Sequence, residues 1–151
     1  MLRVRDLMSR DVATLDVNDT LDLADDIMRL GRVRHFPILD AGKVAGVLSQ
    51  RDLFRAASSS LLQLEYQTAR HWLATVPVKA VMSTTIHAIG PDRPVRDAVD
   101  MLVEHKIGCL PVVENDTLVG LLSETDCLQY LSRLLALADE RQGLPELPPA
   151  E

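Results

Sequence analysis

Aromatic side chains are scarce in this chain: one tryptophan, two tyrosines and two phenylalanines, 3% of 151 residues. Its core must therefore be built from Leu, Val, Ile, Ala and Met, and the hydrophobic fraction of 47% is ample for that. Basic charge is short as well. Sixteen Lys and Arg face 22 Asp and Glu, for a net charge of −6. This argues against a nucleic-acid binder, whose affinity rests on a basic face. It leaves room for a small anionic ligand in a locally positive pocket. Only two cysteines occur, Cys109 and Cys127, without CxxC or any other metal-type spacing. Two free thiols in a reducing compartment is the simple reading.

Other absences narrow the function. The opening MLRVRDLMS lacks the apolar centre of a signal peptide, and no apolar run nears the roughly 20 residues of a membrane span. A soluble, cytoplasmic protein is expected. The nucleophile elbow G-x-S-x-G, the P-loop and G-x-G-x-x-G are all missing. His35, His71, His87 and His105 are scattered, with no pair at the spacing of a helical metal site. No metal, required cofactor or enzymatic activity is expected.

What the chain does contain is a repetition. A shift of 74 positions takes Met8 to Met82 and superposes the chain on itself without a gap from Val4 to Asp126. Pro37 meets Pro111, Gly46 meets Gly120, Ser49 meets Ser123 and Asp52 meets Asp126. One unit folded twice is implied. Within a unit the pattern reads β-α-β-β-α, an α+β class. VATLDV (12–17) is a strand, Asp19 caps a helix whose apolar face carries Leu21, Ala24, Ile27 and Met28, and Gly31 ends it. FPILD (36–40) and KVAGVLS (43–49) form a hairpin across Ala41–Gly42, and a helix starts at Ser49. In the second unit Pro94 opens the first helix and Asn115–Asp116 turn the hairpin. Strands this short cannot bury themselves alone, so the two sheets are expected to pack together into one body.

The expected divisions are a first repeat over 1–56, a helical linker over 57–75, a second repeat over 76–130, and a C-terminal helix with a fraying tail over 131–151. Ser58–Ser60 are expected to cap a second helical piece of the linker, and Trp72 to anchor a core or interface. The acids Asp22, Asp25 and Asp26 read as a solvated helix face. The stripe of Leu128, Leu131, Leu134 and Leu135 fits either a partner surface or a cover within the chain.

The phrase G-x-x-S-x-x-D occurs twice, as GVLSQRD (46–52) and GLLSETD (120–126). It supports two readings. One is a capping box, in which Ser accepts from a helical N–H and the acid reaches back to the Ser N–H. The other is a nucleotide grip. Glycine then keeps a ligand's path clear, Ser and free N–H groups face a phosphate, and the carboxylate accepts from the two hydroxyls of a ribose. Both roles can hold in different states.

The repeated unit resembles the CBS domain, and a tandem pair of such domains is called a Bateman module. The residues that carry the resemblance are VRDLMSRDVATL and VKAVMSTTIHAI, RHFPILD and GCLPVVE, and the two closing phrases GVLSQRD and GLLSETD. It spans roughly residues 2–128, so a stand-alone Bateman protein is expected. The resemblance implies two repeats packed sheet to sheet, a non-catalytic regulatory role, and an adenosine nucleotide (AMP, ADP, ATP) or related adenosyl ligand between the repeats. It also implies a homodimer and a regulated partner protein. The alternative is a structural dimerisation adaptor whose clefts stay empty.

By the same resemblance the sites are crossed between repeats. One cleft sets Ser49, Arg51 and Asp52 opposite His87, Ile107, Gly108 and Cys109. The other sets Ser123, Thr125 and Asp126 opposite Ala13, Val33, Arg34 and His35. Arg51 and Arg34 would each bring a guanidinium to phosphate. Glu124 adds negative charge beside the second motif, and Arg34 and His35 are bulkier than Gly108 and Cys109. Two unequal sites are therefore expected, with the Asp52 cleft the better one for phosphate-rich ligands.

Overall fold

The computed structural model describes residues 1–61 and 66–140. Helix α1 (Val4–Leu7) leads to strand β1 (Leu15–Asp16), helix α2 (Leu21–Gly31), strands β2 (His35–Asp40) and β3 (Lys43–Ser49), and helix α3 (Gln50–Leu61). Helix α4 (Tyr66–Leu73) and a 3-10 turn at Val78–Ala80 follow. The second half holds α5 (Val95–His105), β4 (Cys109–Glu114), β5 (Thr117–Ser123) and α6 (Glu124–Glu140). The class is α+β, with a three-stranded sheet β1-β2-β3 and a two-stranded sheet β4-β5 that meet along β3 and β5.

The hairpins form where the period-two pattern places them. At both turns the two central residues have positive φ: Ala41 at 49° and Gly42 at 81°, then Asn115 at 51° and Asp116 at 60°. Such turns match the right-handed twist of the flanking strands. The inward residues Phe36, Ile38 and Leu48, and their counterparts Leu110, Val112 and Leu122, are fully buried.

Several local expectations are corrected. The strand over 12–17 shrinks to Leu15–Asp16, paired parallel with Ile38–Leu39. Its counterpart in the second half is a single bridge between Ile89 and Val112. Thr20, not Asp19, stands before α2. Asp19 instead accepts the Asp16 N–H in a turn, at 2.7 Å. Gly31 is the last residue of α2, and the left-handed position falls on Arg32 (φ 51°, ψ 34°). Ser58–Ser60 lie within α3 rather than at a helix start. Residues 62–65 of the linker and the closing LPELPPAE lie outside the described residues.

The acids of α2 are not simply solvated. Asp25 is only 16% exposed and pairs with Arg29 at 2.6 Å and Arg70 at 3.3 Å. Arg70 also reaches Asp26 at 2.9 Å, and that hydrogen-bonded guanidinium holds the Asp26 carboxyl below its usual range. These ion pairs dock α4 on α2, while Trp72 packs half-buried against the first core.

Each half is completed by an arm that belongs, in sequence, to the other. Val4 and Met8 sit in the core of the second repeat with Ala98, Leu110, Val112 and Leu122. Leu73 and Val78 sit in the core of the first, with Met82 packed against it. The Val4 N–H donates to the Arg93 carbonyl at 2.9 Å, and the Val78 N–H to the Asp19 carbonyl at 2.7 Å. Ser9 bridges Leu121 as Ser83 bridges Val47. All four contacts obey the same 74-residue offset, so the exchange is a pseudo-twofold feature of the duplication.

Candidate functional site

The arm that closes the first repeat does not stop there. After Ser83 pairs with Val47 at the end of β3, the chain runs through Thr85 and His87 toward the second repeat. This path leaves a cavity of about 900 Å³ between the halves. Its walls are the end of β3 with the start of α3, the 83–87 segment, the end of α5 with the start of β4, and Arg34, His35 and Glu124.

All seven residues expected in the first cleft line this one cavity: Ser49, Arg51, Asp52, His87, Ile107, Gly108 and Cys109. Of the seven expected in the second cleft, only Arg34 and His35 line it. Ser123 and Asp126 lie half-buried at the start of α6, Thr125 is exposed in its first turn, Ala13 is exposed before β1, and Val33 packs on the first core. A smaller cavity of about 300 Å³ lies elsewhere, between Arg10–Thr14 and β5, and none of the fourteen candidates lines it.

Both S-x-x-D phrases form capping boxes. The Ser49 N–H donates to Asp52 Oδ2 at 2.9 Å and the Asp52 N–H to Ser49 Oγ at 3.0 Å. Ser123 and Asp126 repeat this at 2.8 and 3.2 Å. The two boxes differ in one bond. The Ser123 hydroxyl also donates to Asp126 Oδ2, at 2.7 Å, whereas Ser49 makes no such bond to Asp52. Asp is short for this role, yet it closes both boxes because the helix begins directly after the serine.

The motif glycines have a different purpose from the one expected. A Cβ on Gly46 would stand 2.6 Å from the Ser83 carbonyl oxygen and 2.7 Å from Met82 Sδ. On Gly120 it would stand 2.6 Å from Met8 Sδ and 2.9 Å from the Ser9 oxygen. The missing side chains make room for the exchanged arms.

Gly108 is closed against a side chain too: a Cβ there would lie 2.5 Å from His35 Nε2. His35 thus crosses from one repeat to rest on the backbone of the other. Burial depresses its pKa; Glu124 and Asp52 oppose that, and Arg34 and Arg51 add to it. Burial pushes the Cys109 thiol up to about 12, with Glu124 acting in the same direction. His87 stacks on His105, ring centres 3.9 Å apart and 19° from parallel. Among the described residues no group of three or more His, Cys, Asp or Glu is placed to hold a metal ion.

Sequence reasoning missed Arg55, Lys106 and Phe54 in the cavity wall. Arg55 was readable, since it lies four residues past Arg51 on the same face of α3. Lys106 was not, because it reaches the cavity only through the left-handed turn that ends α5 (φ 52°, ψ 46°).

A family model described as the CBS domain matches residues 4–59 and 78–133. CBS domain-containing protein YhcV of Bacillus subtilis is 31% identical over 126 residues, covering 83% of each chain. The crystal structure of a putative acetoin utilization protein (AcuB) from Vibrio cholerae superposes with a TM-score of 0.76 at 35% identity. It covers 96% of this chain and 99% of that one. The CBS domain pair of protein MJ0100, in complex with 5-methylthioadenosine and S-adenosyl-L-methionine, has a TM-score of 0.74 at 20% identity. It covers 89% of this chain and 98% of that one, a likeness of fold alone. Several enzymes also contain the matching segment, but the chain spans only 13% to 27% of their length.

Proposed function

This chain belongs to the CBS domain family, and on that premise we propose that it is a regulatory module that binds an adenosine nucleotide or related adenosyl compound between its repeats. The carrying observation is that one cavity of about 900 Å³ gathers all seven residues of the crossed cleft. That volume suits a nucleotide-sized ligand. The Asp52 carboxylate keeps one oxygen outside the capping box for a ribose hydroxyl, and the Ser49 hydroxyl keeps its proton for an acceptor. Ile107 offers an apolar side to a base, and Arg51 a guanidinium to phosphate. The MJ0100 pair is a fold-level precedent for adenosyl ligands. The module works as a homodimer on a partner protein, without catalysis of its own and in the cytoplasm.

Calorimetric titration with AMP, ADP, ATP, S-adenosylmethionine and methylthioadenosine tests the reading. One of the five should bind the wild type, and Asp52→Ala should weaken that binding at least about tenfold, a difference of 1.4 kcal/mol. Thermal melting checks that the variant is folded. Absence of binding by all five, or equal binding to the variant, overturns it.

A second reading is a dimerisation adaptor that needs no nucleotide. It rests on α6, where Leu128, Leu131, Leu134, Leu135 and Leu137 are exposed and no residue of the helix is buried. If it holds, removing residues 129–151 abolishes partner recruitment and adenosyl compounds leave the melting temperature unchanged.

A further inference from the structure

Four cations line the cavity of about 900 Å³: Arg34, Arg51, Arg55 and Lys106. None of them makes an ion pair or a side-chain hydrogen bond among the described residues. Outside the cavity, Arg3 and Arg5 pair with Asp92, Arg29 and Arg70 with Asp25, and Arg93 with Asp97, while Arg10, Arg32 and Arg133 make no ion pair among the described residues. Among the described residues the cavity's carboxylates are Asp52 and Glu124. Its wall therefore carries two more positive than negative charges, in a chain whose total is −6.

This charge is kept together against local preference. Arg51 and Arg55 stand four residues apart on α3, where like charges repel and an acid in place of either would stabilise the helix. Low-dielectric walls on both sides concentrate the field of such a cluster in the gap. Guanidinium groups are shaped for phosphate oxygens and Lys meets them as a point charge.

We propose that Arg55 and Lys106 select the length of the ligand's phosphate chain, so that the cavity prefers a nucleoside di- or triphosphate to a monophosphate or an uncharged adenosyl compound. The proposal rests on the reading that an adenosyl ligand occupies this cavity, and it specifies that ligand's anionic part. Arg51 and the N-terminus of α3 serve the phosphate nearest the sugar. Arg55 lies about 6 Å further along the helix axis, at 1.5 Å per residue, in reach of the phosphates beyond it. Lys106 approaches from the other repeat, so a long phosphate chain ties the two halves together.

The test is titration of the full chain at one fixed salt concentration with ATP, ADP, AMP, GTP and inorganic tripolyphosphate. ATP should bind at least about tenfold tighter than AMP. The double variant Arg55→Gln with Lys106→Gln should weaken ATP about tenfold or more and AMP less than about threefold. Both side chains are exposed, and unchanged melting of the double variant and of each single variant separates lost contact from lost fold. AMP binding as tightly as ATP, or an ATP to AMP ratio unaltered in the double variant, overturns the proposal. If GTP and tripolyphosphate match ATP and fall with it in the double variant, the phosphate selection stands and the adenosyl reading fails. If none of the five binds, the phosphate selection fails, and the adenosyl reading fails with it only if S-adenosylmethionine and methylthioadenosine also do not bind.

Discussion

The imidazole of His35 rests against the backbone of Gly108, with Nε2 2.5 Å from the point that a Cβ on Gly108 would occupy. One residue precedes Phe36 and Pro37 in the first repeat; the other precedes Cys109, Leu110 and Pro111 in the second. The contact joins the two halves where the cavity begins. Gly108→Ala forces the ring aside, an overpacking that costs about 1–3 kcal/mol. In a His35→Ala background the same substitution meets open space and should cost under about 0.5 kcal/mol. Urea unfolding of the four chains forms a double-mutant cycle. Additive costs would show that the ring does not hold this position.

The exchanged arms make a stronger prediction. At Gly46 the obstacle is the backbone oxygen of Ser83 as well as Met82, and at Gly120 it is Met8 and the Ser9 oxygen. A side-chain end can move, but a backbone oxygen that accepts in the bridge cannot move without breaking the bridge. Gly46→Ala and Gly120→Ala should each destabilise by about 2 kcal/mol or more, the loss expected of overpacking combined with a broken buried hydrogen bond. Truncating Met82 or Met8 to Ala in the same chain should not restore stability. Denaturation midpoints compared across these variants decide it, and a neutral Gly46→Ala would remove the arm-packing account.

What the sequence revealed and what it hid divide along physical lines. The hairpins, the helix faces and the S-x-x-D caps were legible because they depend on residues within a few positions of one another. Ser49–Asp52 closes its box with a single turn of chain, and the turn at Asn115–Asp116 declares its own φ. The meaning of Gly46 was hidden because it depends on Ser83, which no local pattern brings near. The same holds for the second cleft. The sequence marked the two sites as unequal through Glu124, Arg34 and His35, but only the fold shows that the Ser123 hydroxyl is spent on Asp126. Ser58–Ser60 looked like a break because serine favours caps. Inside a helix it costs only about 0.5 kcal/mol relative to alanine, which packing readily outweighs. Asp25 and Asp26 looked solvated because their partner, Arg70, lies on a different helix.

The two cysteines should respond slowly to thiol reagents. Cys109 is buried with its pKa at about 12, and Cys127 is also raised, by burial and by Asp126 and Glu124. The thiolate is the reactive form, so near pH 8 a thiol whose pKa is about 12 is ionised only to roughly one part in ten thousand. In native protein, labelling by a disulfide reagent should be much slower at Cys109 than after unfolding in guanidinium, with Cys127 the faster of the two. Peptide mapping of the labelled chain reads each site separately. Rapid native modification of Cys109 would contradict the burial of β4.

His35 also gives the fold a pH dependence whose sign is determined. Its pKa lies below the ordinary 6.5, chiefly through burial, so the unfolded chain takes up the proton first. The stabilisation from keeping the ring neutral is complete above 6.5 and is lost as pH falls through 6.5 toward the folded value. The groups that face it across the cavity are Asp52 and Glu124, which favour the charged ring, Arg34 and Arg51, which oppose it, and His87 on the far wall. Between about pH 7.5 and pH 5.5 the wild type should lose more stability than His35→Gln, which cannot take up that proton. An anion seated among Arg34, Arg51, Arg55 and Lys106 changes this balance. It neutralises the charges that oppose protonation, raises the His35 pKa, and should make the bound protein less sensitive to acid than the free one. Urea unfolding of wild type and His35→Gln at the two pH values, with and without tripolyphosphate, measures both effects. Equal pH slopes for the two chains would show that folding leaves the His35 pKa unshifted.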